Sequence, residues 1–190
     1  MAQPDPHHAG QQRPDPHQPQ SLFAPWRQHY VESVGDPPES ATSSFIERDW
    51  KSPDQDAANH VIVRSTRGLI LLNRYPYAGG HVLVALGEPR PRLLEYAPAD
   101  RAHLWLLVDH AAALIEHALK PQGLNIGINQ GRAAGAGVPQ HLHVHLVPRW
   151  SGDVNFLAVV GATRVIPASL DETARRLRDA AAALPFSPAG

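Results

Sequence analysis

From Val61 onward the apolar residues fall into short blocks with the lengths of strands. "VIV" (Val61–Val63) and "LILL" (Leu69–Leu72) flank "RSTRG" and predict a β-hairpin, and "HVLVAL" (His81–Leu86) follows the turn "YPYAGG". Three antiparallel strands are expected there. Between Pro98 and Lys120 the period changes: Leu104, Leu107, Val108, Ala111, Leu114, Ile115 and Ala118 recur at helical spacing, with Pro98 near the start and Pro121 beyond the end. "LNIGIN" (Leu124–Asn129) and "HLHVHLV" (His141–Val147) predict two more strands, and "NFLAVV" a further candidate. Ser169 and Glu172 have capping-box spacing and open a last helix running to about Ala183. The order βββ, α, ββ, α predicts an α+β fold, a mainly antiparallel sheet of about five strands with one long helix and a C-terminal helix.

Residues 1–20 break the pattern. They are Pro, Gln, Asp and His with almost nothing apolar, a composition that cannot offset the entropy of ordering, so a disordered leader is expected. "PDPH" occurs twice, at Pro4–His7 and Pro14–His17; this admits a weak metal-binding tract, but a solvated low-complexity segment is the simpler reading. "LFAPWRQHYV" (Leu22–Val31) opens an arm over 21–60 expected to pack on a main domain at 61–185, with a tail at 186–190.

The length of 190 residues and 43% hydrophobic content suit a single domain with a real core. A formal net charge of -1, from 17 basic and 18 acidic residues, offers no electropositive face for a polyanion such as duplex DNA. No run approaches a membrane span, and no apolar leader is present, so neither nucleic acid nor membrane is an expected partner. The chain has no cysteine, which removes disulfides, thiolate nucleophiles and cysteine-ligated zinc and fits a soluble cytoplasmic protein.

The candidate chemistry lies in "GAGVPQHLHVHLVPRW" (135–150). On a strand, His141, His143 and His145 share one face and their α-carbons span roughly 13 Å, while Leu142, Val144 and Leu146 face the core. A half-exposed strand that merely happens to use histidine is the bland alternative. Three at alternate positions, out of 12 in the chain, argue against it. Zinc needs Zn–N bonds of about 2.0–2.1 Å, so at most two neighbours in such a row could share one ion, and other ligands would have to come from elsewhere. A nucleotide-binding glycine loop in "GRAAGAGVPQ" fails because no Lys-Ser/Thr follows, the third glycine is missing and the next element is a strand. A row of imidazoles does suit a polyphosphate: protonated rings donate to phosphate oxygens, and a neutral one can attack phosphorus. Gly135 and Gly137 would let backbone N–H groups approach the same phosphates.

"HLHVHLV" resembles the His-φ-His-φ-His-φ-φ signature of the histidine triad (HIT) superfamily. "APWRQHYV", "LLNRYPYAGGHVLV", "GLNIGINQGRAAGAGVPQHLHVHLVPRW" and "SGDVNFLAVVGATRVIP" extend the resemblance over most of Leu22–Arg178, toward the bacterial diadenosine tetraphosphate hydrolases and phosphorylases. The resemblance implies a HIT-like fold and a nucleotidyl hydrolase or transferase working through a covalent nucleotidyl-histidine, with His143 as nucleophile. It implies that His145 and His141 face the phosphates and the leaving group, that Asn73 meets the ribose and that His81 lies near the phosphates. By the same resemblance Asn129, Gln130 and the loop Gly135, Ala136 and Gly137 hold the phosphates, and Trp150 lies next to the site. A nucleotide substrate and a homodimer are implied, with a divalent cation such as Mg2+ arriving on the substrate if at all. Two alternatives stay open: a HIT-type nucleoside phosphoramidase, and a nucleotide-binding sensor without turnover.

The chain departs from that branch in three places. Many members carry a Cys-x-x-Cys zinc site after the arm and a histidine before the long helix, whereas here these places read "ATSSFIERDW" and "GEPRPRLLEY", so no structural zinc and no metal ligand are expected. Some phosphorylases have a serine near Gly137; its absence leaves the acceptor open between water and inorganic phosphate.

Overall fold

The computed structural model describes residues 43–153 and 168–187. The expected leader, the apolar stretch Leu22–Val31 and the strand candidate "NFLAVV" lie outside them. The order of elements is α1 (Phe45–Lys51), β1 (Val61–Arg64), β2 (Gly68–Leu72), β3 (Val82–Leu86), α2 (Pro98–Leu119), β4 (Gly123–Ile128), β5 (Val144–Arg149) and α3 (Leu170–Ala183). Five strands form one sheet in the order β1-β2-β3-β5-β4, every pairing antiparallel.

Both central strands are apolar at every position because both of their faces are covered, which is why "LILL" and "VLVAL" run without polar interruption. On one face Ile70, Leu72, Val82, Val84 and Leu86 meet Leu104, Leu107, Val108, Ala111, Leu114 and Ile115 of α2 and Ala174, Leu177 and Ala180 of α3. The helical period expected between Pro98 and Lys120 is therefore the core stripe, and the helix stops at Leu119, with Lys120 closing it in a left-handed conformation. Leu142, Val144 and Leu146 join the same core, as the alternation around the histidines requires. Ser169 caps α3 by accepting the Glu172 N–H.

On the opposite face Val61, Leu69, Leu71 and Leu83 are covered by Phe45 and Trp50 of α1. Ser44 is the N-cap of this short helix, accepting the Glu47 N–H. Arg64 secures its other end, donating to the carbonyls of Asp49 and Trp50 at 2.8 Å each and pairing with Asp56. Gly87, just past β3, lies flat against the Trp50 indole: a Cβ there would sit 2.1 Å from a ring carbon. α1 is thus seated against the end of β3, and that seat bears on the histidines.

Candidate active site

β5 begins at Val144, three residues later than the alternating pattern predicts, and pairs with Val84 of β3 and Ile128 of β4 at that residue. His141 and His143 precede the ladder. Their backbone is held by other means: His141 N–H donates to the Val138 carbonyl at 3.2 Å and Leu142 N–H to the Arg90 carbonyl at 2.8 Å. His145 sits within the strand, opposite Leu83 on β3 and Gly127 on β4, and so on the face away from α2.

His143 Nδ1 lies 2.8 Å from the His141 carbonyl oxygen. A carbonyl only accepts, so the proton is on Nδ1 and Nε2 carries a bare lone pair. Burial pushes the His143 pKa down, against a smaller opposing effect of that hydrogen bond, so the ring is neutral near pH 7.

His145 receives the opposite assignment. The Tyr77 backbone N–H, a donor only, reaches His81 Nδ1 at 3.1 Å, so the proton of His81 is on Nε2. That nitrogen is 3.0 Å from His145 Nδ1, which therefore accepts, leaving the proton of His145 on its Nε2. Burial, and then the charge of His143, push the His145 pKa down to about 4. The His143 and His145 rings have centroids 4.8 Å apart, and those of His81 and His145 are 5.1 Å apart. Two adjacent neutral imidazoles thus present unlike nitrogens, one with a bare lone pair and one with an N–H.

Asn73 backs this chain: its Oδ1 accepts the Tyr75 N–H at 2.9 Å and its Nδ2 lies 3.3 Å from His81 Nδ1. Its amide is turned inward to brace the turn rather than outward. His141 is fully buried, at 0% exposure, with Nε2 on the Leu86 carbonyl at 2.8 Å and Nδ1 on the Ser44 hydroxyl at 2.7 Å. The resemblance implied that it and His145 face the leaving group and the phosphates. Both of its ring nitrogens are occupied within the protein, and its carbonyl faces His143.

Asn129 follows Ile128, the residue paired with Val144, and so lies beside the start of β5. Gln130 Oε1 accepts the Leu93 N–H at 2.9 Å, tying the following loop to the segment before α2. In that loop Gly135 has φ +82, a left-handed conformation that favours glycine, and Ala136 is buried. The Gly135 and Ala136 N–H groups turn inward to the Arg132 and Gly131 carbonyls, while the space around Gly137 is open. Trp150 follows the last residue of β5, five residues from His145 and so about 16 Å along the strand.

Sequence reasoning passed over Ser44, Tyr77 and the Leu86 carbonyl. Ser44 had a readable signal, since Ser44 and Glu47 have capping-box spacing. Tyr77 acts through its backbone N–H, although its ring also lies against His81 and His145, with centroids 4.6 and 5.8 Å away. A backbone group carries no signal in residue type.

Among the described residues no three His, Cys, Asp or Glu side chains converge on a point that would hold a metal ion. The donor set around the triad does not fit zinc either, because His141 already spends both nitrogens on Ser44 and Leu86 and the chain has no thiol.

The family described as the HIT domain matches residues 54–152. A protein named AP-4-A phosphorylase from Mycobacterium tuberculosis is 34% identical over 163 residues, covering 83% of this chain and 82% of that protein. A bis(5'-nucleosyl)-tetraphosphatase [asymmetrical] from Schizosaccharomyces pombe is 35% identical over 95 residues, which cover 50% of this chain and 52% of that one. Among solved structures, a zinc-bound histidine triad family protein from Mycobacterium smegmatis superposes with TM-score 0.58 at 30% identity, over 71% of this chain and 92% of that one.

Proposed function

From the premise that this chain belongs to the HIT domain family, we propose that it is an enzyme that cleaves dinucleoside polyphosphates, diadenosine tetraphosphate first among them. The names of its relatives, AP-4-A phosphorylase and bis(5'-nucleosyl)-tetraphosphatase, support the substrate class. The observation that carries the chemistry is the pair of opposite tautomers on His143 and His145.

In this reading His143 Nε2 attacks an α-phosphorus. The P–N bond forms, the P–O bond to the remaining polyphosphate breaks, and its electron pair leaves on that oxygen. His145 Nε2–H donates to the transferring phosphoryl oxygens or the departing oxygen, where charge grows. Water or inorganic phosphate then attacks phosphorus, the P–N bond breaks and the lone pair returns to His143. His141 acts through its carbonyl, and His81 sets the tautomer of His145. Asn129, Gln130 and the loop Gly135, Ala136 and Gly137 frame the phosphates; Asn73 is the candidate ribose contact once its turn yields, and Trp150 a more distant substrate contact. No step needs a resident metal, a structural zinc is not part of the reading, and a divalent cation such as Mg2+ enters with the polyphosphate.

The reading takes the chain to work in the cytoplasm as a homodimer on a nucleotide, without nucleic acid or membrane partners. No helix among the described residues is long and apolar enough to cross a membrane. β4 is an edge strand with Ile126 46% exposed, and Trp105 and Leu106 of α2 are 44% and 41% exposed, which supports a self-association that light scattering would check.

The deciding experiment incubates the purified chain with diadenosine tetraphosphate, with and without inorganic phosphate. AMP plus ATP identifies a hydrolase, and ADP plus ATP a phosphorylase. An absence of products together with no trapped labelled enzyme would overturn the reading in favour of a binding protein, and turnover confined to nucleoside phosphoramidates would move it to P–N bond cleavage.

A further inference from the structure

Ser44 immediately precedes α1, far from the histidines in sequence, and its hydroxyl makes two bonds. It accepts the Glu47 N–H at 3.0 Å and lies 2.7 Å from His141 Nδ1. The direction of the second bond follows from the far side of the ring. The Leu86 carbonyl, an acceptor only, faces His141 Nε2 at 2.8 Å, so the proton of this neutral imidazole is on Nε2 and Nδ1 is a bare acceptor. The single hydrogen of the hydroxyl points at Nδ1, and its lone pair faces Glu47. The carbonyl of the same His141 accepts the Nδ1–H of His143.

We propose that Ser44 is a positioning residue for the nucleophile: by holding the His141 ring it holds the His141 carbonyl, which sets the tautomer and aim of His143. The proposal rests on the reading of His143 as nucleophile and adds to it a residue from outside the histidine run.

The physics is that of a buried acceptor with one donor. Without the hydroxyl, Nδ1 of a ring at 0% exposure has nothing to accept from. The ring can turn to find a new partner, or it can move its proton to Nδ1, which aims the bare Nε2 at the lone pairs of the Leu86 oxygen. Either response shifts the peptide at 141, and the bond that orients His143 shifts with it. If Ser44 merely capped α1, its loss would lower stability and leave the chemical step alone.

The test compares full-length wild type with Ser44→Ala, Ser44→Thr and Ser44→Cys. It measures kcat and KM on diadenosine tetraphosphate, melting temperature, and the imidazole 15N and N–H resonances recorded without substrate. Ser44→Ala should lower kcat by at least about tenfold, with KM within about threefold, the pattern of a lost transition-state interaction. The protected Nδ1–H resonance of His143 should be lost in that variant. Threonine keeps the hydroxyl and should restore both, while cysteine, similar in shape but a weak donor, should fall between. Wild-type kcat with an intact His143 resonance in Ser44→Ala, whatever its melting temperature, would overturn the proposal. If Ser44→Ala does not fold, the threonine and cysteine variants decide: equal kcat and equal spectra would overturn it, and a deficit confined to cysteine supports it. A wild-type chain that turns over no dinucleoside polyphosphate would sink the functional reading, and the substrate-free spectra would still decide whether Ser44 sets the tautomers.

Discussion

Acid is the perturbation that reads the buried imidazoles most directly. His141, His143 and His145 all have pKa values pushed down, first by burial, and that of His145 falls from 6.5 to about 4. In the unfolded chain the same rings titrate near about 6.5. Between those values the unfolded state takes up protons that the folded state refuses, so acid favours unfolding. The contribution of these rings is whole above pH 6.5 and drains away as the pH falls from there toward 4. For His145 the gap from 6.5 to about 4 corresponds to about 3.4 kcal/mol at about 1.36 kcal/mol per pH unit, and partial exposure to solvent reduces this to roughly 2 kcal/mol. Urea midpoints recorded from about pH 8 to 4.5 should be level above pH 6.5 and fall below it. His103 and His110 of α2, also depressed by burial, drain in the same direction. The share of His145 is therefore read as the difference between wild type and His145→Asn, whose profile should be flatter by that amount. Activity should follow the same logic: His143 keeps its lone pair below the ordinary histidine range, so the acid limb of kcat/KM lies below 6.5. An acid limb at or above 6.5, or stability that rises on acidification, would refute the account of neutral buried rings.

Three more outcomes are expected. His143→Asn should keep binding of a non-hydrolysable substrate analogue, measured by calorimetry, while single-turnover cleavage falls by at least about 10³-fold; near wild-type turnover would remove His143 as the nucleophile. Gly87→Ala should destabilise by about 1–3 kcal/mol, because its Cβ would meet the Trp50 indole 2.1 Å away, and Trp50→Ala in the same chain should relieve most of that strain; thermal melts of the two single variants and the double variant close the cycle. Chelator-washed, tag-free protein beginning near Ser21 should carry no stoichiometric zinc by elemental analysis and should melt no lower after chelation, since the chain has no thiol and no group of three metal-ligating side chains converges among the described residues.

The fold was largely readable because its signals are periodic. Strand blocks at Val61, Leu69 and His81, the stripe from Leu104 to Ile115 and the Ser169 cap all appear as elements close to where the pattern puts them. The histidines announced themselves by residue type and spacing. What remained hidden acts through backbone or at long range. The Tyr77 N–H and the carbonyls of Leu86 and His141 decide which ring nitrogen bears each proton, and a peptide group looks the same in every residue. The Ser44 contact closes a gap of 97 positions, and its capping-box spacing signals a helix start without saying that the hydroxyl would also donate to a histidine.

The strand boundary is where pattern and structure part, and the parting has a chemical reason. Alternation from His141 to Val147 reads as one strand, yet the ladder to β3 and β4 begins only at Val144. In a strand flanked on both sides, backbone carbonyls are spent on neighbouring strands, and a side chain two residues on has no claim to them. The His143 ring needs an acceptor of fixed position to hold its proton on Nδ1 and leave Nε2 bare. By stopping the ladder short, the fold frees the His141 carbonyl for that purpose. It then holds the released segment with the bonds from His141 N–H to Val138, from Leu142 N–H to Arg90 and from the His141 ring to Ser44 and Leu86. His145, whose partner is the His81 side chain, needs no such carbonyl and can sit within the ladder. The same alternating sequence is thus divided at Val144, with the ring whose Nε2 is bare, His143, on the irregular side and the ring whose Nε2 carries the proton, His145, on the regular one.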